Sequence, residues 1–165
     1  LKPYLTFAKS SFRQPTVPVA VTDQETEGGP RLAPLDMFAH VGAADPSSTD
    51  FATAAGFAIV TSHTSGQFLP QMLGITDFGA VSFSKGCYLG QEVVARAEHR
   101  GAVKRRLARF EWQGVQPLPG QPVHAAASGD GAVGTVINAT PDVCLVVVNA
   151  HYDTLATDKG TLTAL

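Results

Sequence analysis

From Lys104 onward the chain reads as short apolar runs cut by turn residues, and that rhythm leaves few folds open. Lys104 to Trp112 alternates, with Leu107 and Arg109 on one face and Ala108, Phe110 and Trp112 on the other. Pro117-Leu118-Pro119-Gly120 and Gly129-Asp130-Gly131 are turn signals. Val133 to Ile137 and Cys144 to Asn149 read as strands, and Tyr152 to Leu165 adds one or two more. Short strands with turn signals about every 8–12 residues predict a small antiparallel β-barrel.

The first hundred residues have a different grain. Leu1 to Phe12 is amphipathic and suits a strand or a short helix, and Val17 to Thr22 alternates as a strand does. Asp23 to Pro34 reads as an acidic surface loop, and Met37 to Val41 as a short apolar patch. Asp45-Pro46-Ser47-Ser48 supplies start signals for a helix over Asp50 to Ala55 that Gly56 closes. Phe57 to Thr61 suits a buried strand, Gln67 to Met72 a helix, and Ile75 to Ser82 a loop with a short strand. Gly90 to Glu98 predicts a helix ended by Gly101. The expected class is therefore α+β: a partial mixed α/β lobe over residues 1–102, then a C-terminal antiparallel β-barrel over residues 103–165.

Composition narrows the function classes. With 44% hydrophobic and 16% charged residues, the 165-residue chain is neither a disordered tail nor a coiled coil. No window approaches about 18 unbroken apolar residues, so no membrane helix is expected. Two cysteines, Cys87 and Cys144, are too few for a disulfide framework and fit a reducing compartment. The net charge of −2 hides an asymmetry. Lys85, Arg96, Arg100, Lys104, Arg105, Arg106 and Arg109 face only Glu92 and Glu98 within their stretch, a local +5 in an otherwise acidic chain. Such a belt suggests an anionic ligand or partner, and equally a solvated helix and strand face. The chain opens Leu1-Lys2-Pro3 without a methionine, which suggests part of a longer protein.

Most candidate chemistry dissolves on its context. Gly129, Gly131 and Gly134 have the spacing of a dinucleotide loop, but a strand-like run follows where a phosphate site needs a helix. His40, His63, His99, His124 and His151 are scattered, so a metal site is not expected. Ser62 and Ser65 beside His63 lack a nucleophile elbow. Cys144, inside Val-Cys-Leu-Val-Val-Val, reads as a small core residue.

Cys87 stands apart. Lys85 lies two residues before it and a predicted helix begins soon after; both favour thiolate over thiol. Gly86 and Gly90 leave the backbone open, Tyr88 adds an aromatic surface, and Gln91 and Glu92 add hydrogen-bonding groups. A single cysteine without a nearby histidine remains weak evidence of catalysis.

The surrounding sequence is more specific. Ser65 to Gln71, and above all Gly79 to Leu107 with its core Lys85-Gly86-Cys87-Tyr88-x-Gly90-Gln91-Glu92, resembles the signature region of the YgfZ family. These are folate-binding proteins related to the aminomethyltransferase (T-protein) of the glycine cleavage system. The strong match covers about 40 residues. The resemblance implies two mixed α/β lobes and a β-barrel around a central channel, with this chain supplying part of the lobes and the barrel.

It also implies binding of a reduced folate such as tetrahydrofolate, and support for the assembly or repair of iron–sulfur client proteins, one of which thiomethylates tRNA. Cys87, with Lys85 beside it, matches the residue on which activity is taken to depend. Tyr88, Gln91, Glu92, Arg96 and Arg100 are then the folate-binding candidates, the cations meeting the glutamate tail. Two departures from the T-protein stand out. Cys87-Tyr88 occupies a position where that protein has no thiol, and Thr53 to Ala58 lacks its acidic and arginine residues.

Two readings compete with the accessory role: a tetrahydrofolate-dependent aminomethyltransferase-like enzyme, and a module that docks a protein or tRNA through the basic belt. No aromatic residues interleave with the arginines, so direct tRNA binding is not expected. The expected location is cytoplasmic, or the mitochondrial matrix in a eukaryote.

Overall fold

The computed structural model describes residues 19–22, 31–32, 37–41, 47–99, 101, 103–126 and 131–165. Strands β1 (Val19–Thr22), β2 (Arg31–Leu32) and β3 (Met37–Val41) form a small antiparallel sheet in the order β1-β3-β2. Helix α1 (Ser47–Ala54) lies beside β1, and Gly56, in the left-handed region at φ 83°, ends its last turn. A 3-10 turn follows at Pro70–Leu73, then helix α2 (Gln91–His99).

The rest closes as expected. Strands β4 (Arg106–Gly114), β5 (Pro122–Ala125), β6 (Gly134–Ala139), β7 (Cys144–Val148), β8 (Thr154–Thr157) and β9 (Gly160–Ala164) form an antiparallel barrel. Their order around it is β4-β7-β6-β5-β8-β9. Phe110, Val123, Val136, Cys144, Val146, Val148, Leu155 and Leu162 fill the interior, with Ala108 and Trp112 against them. Ala108, Phe110 and Trp112 are one of the two faces into which the alternation divides β4. Gly134 lets β6 approach β7: a Cβ there would lie 2.6 Å from the Val147 carbonyl oxygen.

A second cluster lies outside the barrel wall. Ile137, Leu145 and Val147 point outward from β6 and β7 and pack under Ala58, Leu73, Phe68, Met72 and Ile75 of the preceding segment. Every residue of β7 is therefore buried, which accounts for its unbroken apolar run.

Several local expectations change. Phe57 to Thr61 is not a strand. Its partner is a side chain: the Asn138 carboxamide accepts from the Ile59 N–H (2.7 Å) and donates to the Ile59 carbonyl (2.9 Å). A register shift between Val136 and Asn138 turns Asn138 outward to do this. Ile75 to Ser82 holds turns but no strand, and the Gln67 to Met72 helix is only the 3-10 turn, which Pro70 opens and Gly74 closes. Met37–Val41 is a strand, and Arg31–Leu32 pairs with it inside the stretch read as loop. Strand β5 escapes the pattern because Pro122, His124 and Ala125 are poor strand formers. The Leu1 to Phe12 element, residues 23–30, Asp45-Pro46, Arg100 and Gly129-Asp130 lie outside the described residues.

Candidate functional site

The signature loop runs from Ser82 into α2. The Ser82 hydroxyl accepts the Lys85 N–H at 3.3 Å and tightens the first bend. The helix entry is a reciprocal pair: the Gln91 N–H donates to the Tyr88 carbonyl at 3.2 Å, and Gln91 Oε1 accepts the Tyr88 N–H at 3.1 Å. That satisfies one of the unpaired groups at the loop–helix junction. Gly90, at φ 88°, makes the turn that a residue with a Cβ would strain. Phe83 stacks on His99 with ring centroids 6.4 Å apart, tying the loop to the far end of α2.

Cys87 sits on the outside of this loop, exposed. Its neighbours pair with one another: the Lys85 ammonium lies 4.9 Å from the centre of the Tyr88 ring. Lys85, Tyr88 and Gln91 are thus tied to one another on either side of Cys87 in the chain. Glu92 and Arg96 form a 3.0 Å ion pair on the solvent face of α2, with side chains 83% and 60% exposed. Such a pair contributes at most a few tenths of a kcal/mol.

The other cysteine is sealed. Cys144 faces the barrel interior with no exposed surface, and burial pushes its thiol from 9.0 up to about 12. It stays protonated and unreactive at neutral pH.

Sequence reasoning missed the residue that anchors the loop. Gln71 projects from the 3-10 turn, and its Nε2 donates to the Val94 carbonyl of α2 at 2.8 Å and approaches Glu98 at 3.5 Å. Leu73 on the same turn is in the cluster over β7, so this turn links α2 to the barrel. Gln71 Oε1 is buried and has no hydrogen-bond partner among the described residues. Gln71 lines a polar cleft of about 230 Å³ with Thr76, Asp77, Glu98 and Arg106 behind α2. Its place at the end of the Ser65 to Gln71 motif was the available signal.

The basic belt is not continuous. Lys85 covers an aromatic ring and Arg96 pairs with Glu92. Arg106 lines the cleft with Asp77 and Glu98. Arg109 donates to the Ala54 carbonyl at 2.9 Å, where α1 ends. Lys104 and Arg105 are exposed. Among the described residues no cluster of three or more His, Cys, Asp or Glu side chains could hold a metal, and no helix is long and apolar enough to cross a membrane.

The described elements define a class: an α/β lobe segment bearing a surface thiol loop, packed against a closed six-stranded barrel. No family model matches the chain. It is similar, however, to the tRNA-modifying protein YgfZ of Cronobacter sakazakii, 47% identical over 70 residues, 42% of this chain and 21% of that protein. The protein of the same name from Colwellia psychrerythraea is 49% identical over 63 residues, 38% of this chain and 19% of its own length. That from Escherichia coli is 55% identical over 53 residues, 32% and 16%. These matches agree with the resemblance that the signature implies, and they span about a fifth of the length of these relatives.

Proposed function

We propose that this chain is part of a folate-binding accessory protein that supports tRNA modification by maintaining an iron–sulfur client enzyme, with Cys87 as its reactive thiol and Lys85 beside it. The observation that carries this reading is the contrast between the thiols: Cys87 is exposed in the signature loop, while Cys144 is sealed in the barrel. The name of the relatives supports the tRNA-modifying role. Residues 1–102 and 103–165 are the proposed lobe and barrel units, and the proposed location is the cytoplasm.

A reduced folate is tested against the residues present by one feature, the buried and unpartnered Gln71 Oε1. It is an acceptor in a cleft that also holds the carboxylates of Asp77 and Glu98, and the head of a reduced pterin is rich in N–H donors. The fit is to that head only, since about 230 Å³ is below the ~300–1,000 Å³ of a pocket for a whole drug-sized ligand. Gln71, Asp77 and Glu98 would hold the head. Tyr88 and Gln91, Glu92 and Arg96 on the solvent face, and Arg100 beyond the described residues are the proposed contacts for the rest. Bound folate would supply one-carbon chemistry, and the chain's own residues would bind and orient it.

The test is complementation. Cys87→Ala should fold normally and fail to restore a strain whose iron–sulfur tRNA-thiomethylating enzyme is defective for want of this protein. Full rescue by the variant would sink the reading and favour the aminomethyltransferase-like alternative, which needs no thiol at that position. The docking alternative predicts binding to tRNA that weakens steeply with salt. The belt's dispersal into local pairings argues against it.

A further inference from the structure

A second cleft, of about 430 Å³, opens where the lobe segment meets the rim of the barrel. Gly56, Asp77 and Phe78 of the lobe segment line it together with Leu107, Arg109 and Tyr152 of the barrel. Its size is within the range of small-molecule sites, and such sites favour junctions between structural units. None of Lys85, Cys87, Tyr88, Gln91, Glu92 or Arg96 lines it.

The walls are held in place without any ligand. Phe78 packs on Phe57 with ring centroids 5.4 Å apart, and the Tyr152 hydroxyl donates to Asn149 at 2.7 Å. The two Asn138 bonds to Ile59 and the Arg109 bond to Ala54 fix the lobe segment against the barrel on both sides of Gly56. A prearranged apolar slot loses little entropy on binding. The charges are placed as sharply. Arg109 spends one of its five N–H donors on Ala54 and keeps an exposed guanidinium, and His151 stands on the same rim.

We infer that this cleft binds a small, flat aromatic carboxylate, its ring between Phe78 and Leu107 and its carboxylate on Arg109. The site excludes the Cys87 loop and takes no contact from Asp77, which borders both this cleft and the one proposed for the folate head.

Indole-3-propionate has this chemistry, and its uncharged amide is the control. Titrated into the ¹⁵N-labelled intact protein, the acid should move the amide signals of Gly56, Gly74, Phe78 and His151. The amide, and the acid with an Arg109→Gln variant, should each bind about tenfold more weakly or worse, the loss expected for one charge-assisted contact. Because Arg109 also secures α1, Ala150→Phe provides a second variant: Ala150 is exposed on the cleft wall, and the larger ring should block binding while leaving the melting temperature unchanged. Equal affinity for acid and amide would overturn the inference, as would shifts confined to other exposed apolar residues such as Leu89 or Leu118. Competitive displacement by tetrahydrofolate would make the cleft part of the folate site and end the claim of a separate one. A null result with tetrahydrofolate alone would bear on the proposed function and not on this cleft.

Discussion

Cys87 and Cys144 occupy opposite physical regimes 57 positions apart in the sequence. Cys144 belongs to a strand buried on both faces, in the barrel interior on one side and under the lobe cluster on the other. Cys87 belongs to an exposed loop held by one stack, one reciprocal pair and Gln71. Packing in the first region leaves no room for chemistry, and sparse attachment in the second leaves the thiol available to a partner.

The sharpest way to break this comparison is alkylation under native conditions. Iodoacetamide should modify Cys87 within minutes and Cys144 only as fast as the barrel opens, a separation of several orders of magnitude readable by mass spectrometry. Comparable rates would refute the two-regime picture. Next in size is Phe110→Ala in the barrel interior, which should cost about 3–5 kcal/mol in denaturant unfolding, whereas Leu89→Ala on the loop should stay within ~0.5 kcal/mol.

Asn138→Ala, which leaves the Ile59 N–H and carbonyl unpaired, should cost about 2–3 kcal/mol. Asn138→Asp should not restore the loss, because a carboxylate has no N–H for that carbonyl. Alkali tests the buried thiol. Its proton is held in the folded state up to about pH 12 but released from 9.0 once unfolded, so stability falls as pH rises through that window. The slope is at most about 1.4 kcal/mol per pH unit, and Cys144→Ala should remove it. A slope that persists in the variant would assign it to other groups. The smallest effect expected is Glu92→Gln, below ~0.5 kcal/mol, because its ion pair with Arg96 is in solvent.

Where the structure was legible in the sequence, the period and the burial agreed. The alternation of β4 divided its residues into the two faces that the barrel shows, and the apolar run from Cys144 to Asn149 was legible as a strand with Cys144 in the core. The thiol loop was legible because its motif is long and gapless. What stayed hidden was what side chains do at a distance. Phe57 to Thr61 is apolar enough for a strand, yet its hydrogen-bond partner is the amide of a residue 79 positions on from Ile59, and no local pattern carries that. Strand β5 is held by its neighbours against its own propensity. Gln71 was legible only as the end of a motif and Arg109 only as part of a basic belt until the fold showed which backbone carbonyls they meet.

The two-sided burial of β7 has a consequence for how the molecule comes apart. Its outward Leu145 and Val147 are the floor on which the lobe turn rests, and its inward Cys144, Val146 and Val148 are the barrel's own filling. Stripping the lobe away would wet the floor, and opening the barrel would remove it. Across residues 57 to 165 the heat-absorption profile should therefore show one peak rather than two, with the amides of β7 the last to exchange with deuterium.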